Sequence, residues 1–317
     1  MTLSRKSRFW IGGILLALGL IAATVFIYNG PTNVPPSISV PNPNGYDDFL
    51  AAIKMRTNVS ADVPWPNDSD FHLVRAEQYI KDCRPVLDRL RVGLNKATAV
   101  PIVFTTNWLD EQVIVLPQMK KLEMTLVVDG YVAEQQNRLD DSARCYVDAL
   151  NFGSAIGRGG LLIDTLVSIA NENIAISSFE KLAPKLNASE CRYVLAQLQM
   201  WATNREPFAR AAERERKWAD VYGRLVMGRW RLIAYNVSET IRSRSLHPEA
   251  AVIAKVKAKH SAVMDRVQAL KVRLAVKAFE REHNTTVKGW ADLVPTYLPA
   301  IPTNSETGRP LTHQFAE

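Results

Sequence analysis

The chain has 317 residues, 47% hydrophobic and 22% charged, with a mean hydropathy of −0.09 and a formal net charge of +7. That balance excludes a disordered or collagen-like polymer and predicts a globular body. The 15 glycines are few and the 17 prolines gather toward the two ends, which leaves the middle free to be helical.

Residues 9–28 (FWIGGILLALGLIAATVFIY) hold no charge. Twenty helical residues rise about 30 Å, the thickness of a bilayer's hydrocarbon core. Arg5, Lys6 and Arg8 precede this run, and no basic residue follows before Lys54. The positive-inside bias therefore predicts a transmembrane anchor with residues 1–8 in the cytoplasm and the bulk of the chain outside the bacterial inner membrane. A cleaved signal peptide is the rival reading. Its apolar core is normally shorter and ends in small residues, whereas this one ends in Val25-Phe26-Ile27-Tyr28. Lipid bilayer is thus the first expected partner, through residues 9–28.

Residues 29–45 carry Pro31, Pro35, Pro36, Pro41 and Pro43 and read as a semi-rigid spacer. From 46 to 283 the pattern is helical. A short helix is expected from Gly45 to about Met55, and another from about 70 to 94 with Pro85 kinking or breaking it. Residues 100–109 read as a loop packed on the body. Leu116, Met119, Leu122, Leu126 and Val127 recur at three- and four-residue spacing, and Ala143, Tyr146, Val147 and Leu150 carry the next stripe. Residues 115–157 are therefore expected to form a helical hairpin. Gly157, Gly159 and Gly160 interrupt the pattern before a segment at 161–182 that is apolar around most of its circumference, the expected central helix. Asn187 and Ser189 are both N-cap candidates for the next helix, which runs to about Thr203. Two long helices, about 206–243 and 248–283, complete the body, the last with Val256, Val263, Val267, Leu270 and Leu274 in a near-heptad stripe.

The fold class expected is mostly α: a transmembrane helix, then an extracytoplasmic helical bundle or irregular array of helical hairpins. Residues 284–317, with Pro295, Pro299, Pro302 and Pro310, form an extended tail docked on that body. Two local resemblances bear on this. DGYVAEQQNRLDDSARCYVDAL is similar to the core of one tetratricopeptide-type hairpin, with Ala143 and Tyr146 near its small and aromatic positions. No second copy follows at the 34-residue period such arrays use. The segment KAFEREHNTTVKGWADLVPTYLPAIPTNSETGRPL resembles the tail of uncharacterised membrane-anchored helical proteins of bacteria and of pseudopilin-like proteins. It departs from that pattern at Asn304-Ser305, where Asp-Pro is usual. The pilin processing signature, Gly-Phe with a glutamate five residues into the apolar helix, is absent from the other end.

Catalytic motifs are thin. Ser178-x-x-Lys181 lacks the partner motifs of a serine acyl-transfer enzyme. The Gly157–Gly160 run suits a break between helices, with a phosphate nest as the alternative. Histidines 72, 247, 260, 283 and 313 show no metal-ligand spacing, so no metal and no cofactor is expected. Cys83, Cys145 and Cys191 read as small buried residues, although one disulfide would be permitted outside the cytoplasm. On the 161–182 segment Asp164, Ser168 and either Asn171 or Glu172 share a face. Buried acids there require partners. Pairing with an arginine such as Arg158, exposure at an edge, or a cleft that uses Asp164 and Glu172 as catalytic acids are the three accounts.

Charge is distributed unevenly. Residues 9–204 hold 16 basic and 20 acidic side chains, net −4, whereas 205–288 hold 19 and 9, net +10. Arg210, Arg214, Arg216, Arg224, Arg229 and Arg231 alternate with Trp218, Tyr222, Trp230 and Tyr235. Arginine beside aromatics suits anionic lipid, an acidic envelope polymer or an acidic protein. Nucleic acid fits the chemistry but not the compartment. The reading that follows is a membrane-tethered scaffold or interaction protein, more a binder than an enzyme. A membrane-anchored hydrolase and an accessory subunit of a secretion or pilus-like system are the alternatives.

Overall fold

A computed structural model describes residues 39–59, 62–66, 68–69, 71–103, 105, 107–222 and 248–311. Most of it is α-helix: α1 (Gly45–Arg56), α2 (Leu73–Asp82), α3 (Arg84–Leu94), α4 (Trp108–Gln135), α5 (Leu139–Ala155), α6 (Leu162–Leu182), α7 (Ala188–Asn204), α8 (208–222), α9 (Pro248–His283) and the short α10 (Trp290–Leu293). The expected anchor at 9–28 and most of the spacer lie outside the described residues. None of the described helices is long and apolar enough to cross a membrane.

Local chemistry sets the boundaries. Asn44 caps α1, its Oδ1 accepting from the Tyr46 amide at 3.2 Å and the Ala99 amide at 3.0 Å, which ties the helix start to the 97–99 loop. The segment expected as one helix with Pro85 at its break is two, meeting at Cys83. Pro85 sits in the first turn of α3, where a missing amide hydrogen is harmless. The hairpin of α4 and α5 turns through Asn137 at φ 57°, a left-handed position that asparagine tolerates. Helix α4 begins at Trp108, earlier than its apolar periodicity suggests, and runs through Pro117. At α7 the two cap candidates cooperate. Asn187 Oδ1 accepts from the Glu190 amide, Glu190 reaches back to the Asn187 amide, and Ser189 donates to Asn187.

Packing makes α6 central, with α5, α4 and α9 laid against it. Helices α5 and α6 approach closely because Gly153 has no side chain: a Cβ there would stand 2.9 Å from the Glu172 amide nitrogen. The heptad stripe of α9 is fully used: Val256, Val263, Val267, Leu270 and Leu274 are all buried, and α9 packs on α6 and α7. Arg266 fastens α9 to α6 by donating to Asn173, Ser177 and Glu180 at 2.6–3.2 Å. One continuous apolar core joins α1 through α10. Cys83, Cys145 and Cys191 are all buried free thiols, and the permitted disulfide is not formed.

The tail is docked. Leu293 and Leu298 are buried, Tyr297 donates to Glu282 at 2.5 Å, and Asp265 of α9 accepts from Asn304 Nδ2 at 2.8 Å and the Ser305 amide at 2.7 Å. Asn304 Oδ1 also accepts from the Glu306 and Thr307 amides, so the residue that departs from the tail pattern serves as the cap of its own turn.

Candidate functional site

The two acids singled out on α6 are both fully buried, and both are consumed in structural contacts. Asp164 lies at the third residue of α6 and reaches back to the Leu161 amide at 2.8 Å, while its other oxygen accepts from Gln112 at 2.5 Å. Gln112 also donates to the Tyr46 hydroxyl at 3.1 Å, which links α1, α4 and α6. Burial raises the Asp164 pKa to about 6, and the Gln112 and Leu161 hydrogen bonds oppose that rise.

Glu172 pairs with Arg205 rather than with Arg158. Arg205 donates from Nε at 3.0 Å and from Nη2 at 2.6 Å to the two carboxylate oxygens, a bidentate pair with side chains only 5% and 1% exposed. Its remaining Nη1 donates to the His260 carbonyl at 3.1 Å, and Arg158 donates instead to the Asn204 carbonyl at 2.8 Å. Burial raises the Glu172 pKa and the guanidinium opposes the rise. Burial, then Arg205, lowers His260 to about 4. The cavity against this pair is about 20 Å3, room for roughly one water and far short of a substrate. Of the three accounts of these acids, pairing with an arginine is the one that Glu172 matches, and the space beside the pair is too small for a substrate.

The glycine turn before α6 is likewise filled by the chain's own groups. Gly159 stands at φ 73°, and its amide donates to Glu206 at 3.1 Å. The Leu162 amide donates to Glu215 at 2.9 Å, and the Gly160 carbonyl accepts from Arg214 at 3.0 Å. The helix N-terminus that could have held a phosphate already holds carboxylates.

Sequence reasoning passed over Glu123. It is fully buried on α4, and neither carboxylate oxygen has a partner among the described residues. Burial, reinforced by the Glu172 charge, pushes its pKa well above the usual carboxylate range and so favours the protonated form. The signal was present: Glu123 falls four residues after Met119 and four before Val127, on the apolar stripe itself. Arg205 carried no such signal, because it lies at a helix junction where periodicity is silent.

The basic stretch divides into spent and free charges. Arg214 is spent, bound through both terminal nitrogens to Glu206 at 2.8 and 2.6 Å, which removes it from the expected partner-binding set. Arg210, Arg216 and Lys217 on α8, with Lys255, Lys257 and Lys259 on α9, are exposed, and no carboxylate among the described residues pairs with them. Phe208, just before the first of these sets, packs on His260, just after the second, ring centroids 5.6 Å apart. Arg224, Arg229 and Arg231 lie outside the described residues.

Two larger hollows elsewhere have ion-paired cations in their walls. One of about 430 Å3 is lined by Arg91, which bonds Asp129 at 3.0 Å and Asp148 at 2.9 Å. Another of about 230 Å3 is lined by Lys96, which bonds Asp48 at 2.6 Å. Among the described residues no group of histidine, cysteine and carboxylate side chains has the geometry to hold a metal. Comparison with family models, curated proteins and solved structures gives no match, so the site is read from its own chemistry.

Proposed function

We propose that this chain is a membrane-tethered helical scaffold that docks an acidic surface on its cationic face. The observation that carries this reading is the division of charges within one basic stretch. Arg205, Arg214, Arg266 and Arg273 are neutralised by carboxylates, while Arg210, Arg216, Lys217, Lys255, Lys257 and Lys259 are left exposed to water. A paired cation has its charge offset by the neighbouring carboxylate, whereas the six unmatched ones leave a positive potential that draws polyanions over a distance. Closure of the space beside Glu172 favours binding over hydrolysis. The uncharged run at 9–28 behind three basic residues supports an inner-membrane tether with the helical body outside the cytoplasm.

The test uses the purified full chain, vesicles of zwitterionic lipid with and without about a third anionic lipid, and an acidic polysaccharide. Salt-sensitive binding to either anionic probe, lost in a variant reversing Lys255, Lys257 and Lys259 to glutamate, supports the reading. Binding that ignores the reversal or the salt overturns it. Carbonate extraction and a reporter at the far end of the chain test the tether, which fails if the chain extracts freely or the reporter is cytosolic.

A further inference from the structure

Where α7, α9 and the tail meet, they form an open niche of about 340 Å3, within the size range of small-molecule sites. Its cationic wall is Lys271, only 5% exposed on α9. The ammonium donates to Gln199 Oε1 at 2.5 Å, and no carboxylate among the described residues pairs with it. A buried ammonium without a counter-charge is costly, and an anion that reaches it offsets that cost. Burial alone lowers its pKa, with no neighbouring acid to offset it.

The second cation of the niche, Arg192, is already neutralised by Glu282 through bonds of 2.6 and 2.7 Å. One unmatched positive charge therefore remains, which suits a monoanion better than a phosphate dianion. Leu195 and Ala196 of α7, with Pro295 and Pro299 of the tail, line the rest and offer apolar surface beside that charge. The tail wall is held in place before any ligand arrives. Tyr297 donates to Glu282, lies 4.3 Å under the Arg192 guanidinium and meets Phe279 edge-on at 6.1 Å. A preformed wall spares a ligand the cost of ordering it.

We propose that this niche binds a small organic monocarboxylate, with the carboxylate on the Lys271 ammonium and the hydrocarbon against Leu195, Pro295 and Pro299. The site is independent of the cationic docking face.

Isothermal titration of the full chain with hexanoate, hexanamide and inorganic phosphate tests it. Lys271→Met removes the charge at similar volume and relieves a buried, unmatched ammonium, so the variant retains the fold; its thermal midpoint checks this. A charge-assisted hydrogen bond is worth enough that hexanamide on the native chain, and hexanoate on Lys271→Met, should each bind at least about tenfold more weakly than hexanoate on the native chain. The proposal is overturned if hexanoate does not bind, if hexanamide matches it, if phosphate saturates equally well, or if Lys271→Met leaves the affinity unchanged.

Discussion

Arg205 grips Glu172 across 33 residues of sequence, two parallel hydrogen bonds of 2.6 and 3.0 Å sealed beneath the start of the basic stretch. The pair joins the central helix to the α7–α8 junction and keeps both charges out of bulk water.

Removing one partner strands the other. Arg205→Met leaves an ionised carboxylate, or forces a proton onto it, where Arg205 had supplied both of its described hydrogen bonds. The expected loss is about 3–5 kcal/mol, read from chemical denaturation midpoints. The double variant Arg205→Met, Glu172→Gln should recover a large part of it. A single variant as stable as the native chain would show that the pair contributes nothing.

Glu123 gives the stability a pH dependence of definite sign. Its folded pKa is raised, so the unfolded chain loses the proton first, near the ordinary value of about 4.3. Its contribution is full below that pH and declines as pH rises toward the folded titration. Glu123→Gln cannot ionise, so it should be more stable than the native chain at neutral pH and lose that advantage below about pH 4. Urea midpoints across that range decide it; a constant difference between the two chains would contradict neutral Glu123.

His260 acts in the opposite direction. Its folded pKa is lowered to about 4, so its contribution is present above the ordinary value of about 6.5 and is lost as pH falls through the folded one. The imidazole proton resonances should titrate near pH 4 in the folded chain. A midpoint near 6.5 would mean that the ring is not held against Phe208 and Arg205.

Gly153→Ala tests the closest helix contact. The added methyl would meet the α6 backbone at the Glu172 amide, 2.9 Å away, and a backbone cannot rotate aside as a side chain can. Separating α5 from α6 should cost about 1–3 kcal/mol in denaturation midpoint. An unchanged midpoint would show that the two helices are looser than described.

The helical architecture was legible because periodicity and punctuation agreed. The stripe of α9 from Val256 to Leu274, the break at Cys83 and Pro85, and the cap at Asn187 all follow from residues within a few positions of one another. The site was less legible because its partners are distant in sequence. Asp164 and Glu172 were visible as acids on an apolar helix that required partners, but Gln112 lies 52 positions from one and Arg205 33 from the other. The same holds for Arg214, which looks like a free surface cation until its bonds to Glu206 and the Gly160 carbonyl are seen. Local patterns fix faces and ends of helices; which charge meets which is settled only by the three-dimensional packing of those faces.

The glycine turn before α6 has a mechanical consequence. Glu206, Arg214 and Glu215 all fasten the 206–215 stretch to that turn, while the neighbouring Arg205 plugs the interior. Tension applied to this stretch would have to uncap the central helix and flood an ion pair in the same motion. The 206–215 stretch is therefore riveted to the turn at three points, and a load on it is shared with the first turn of α6.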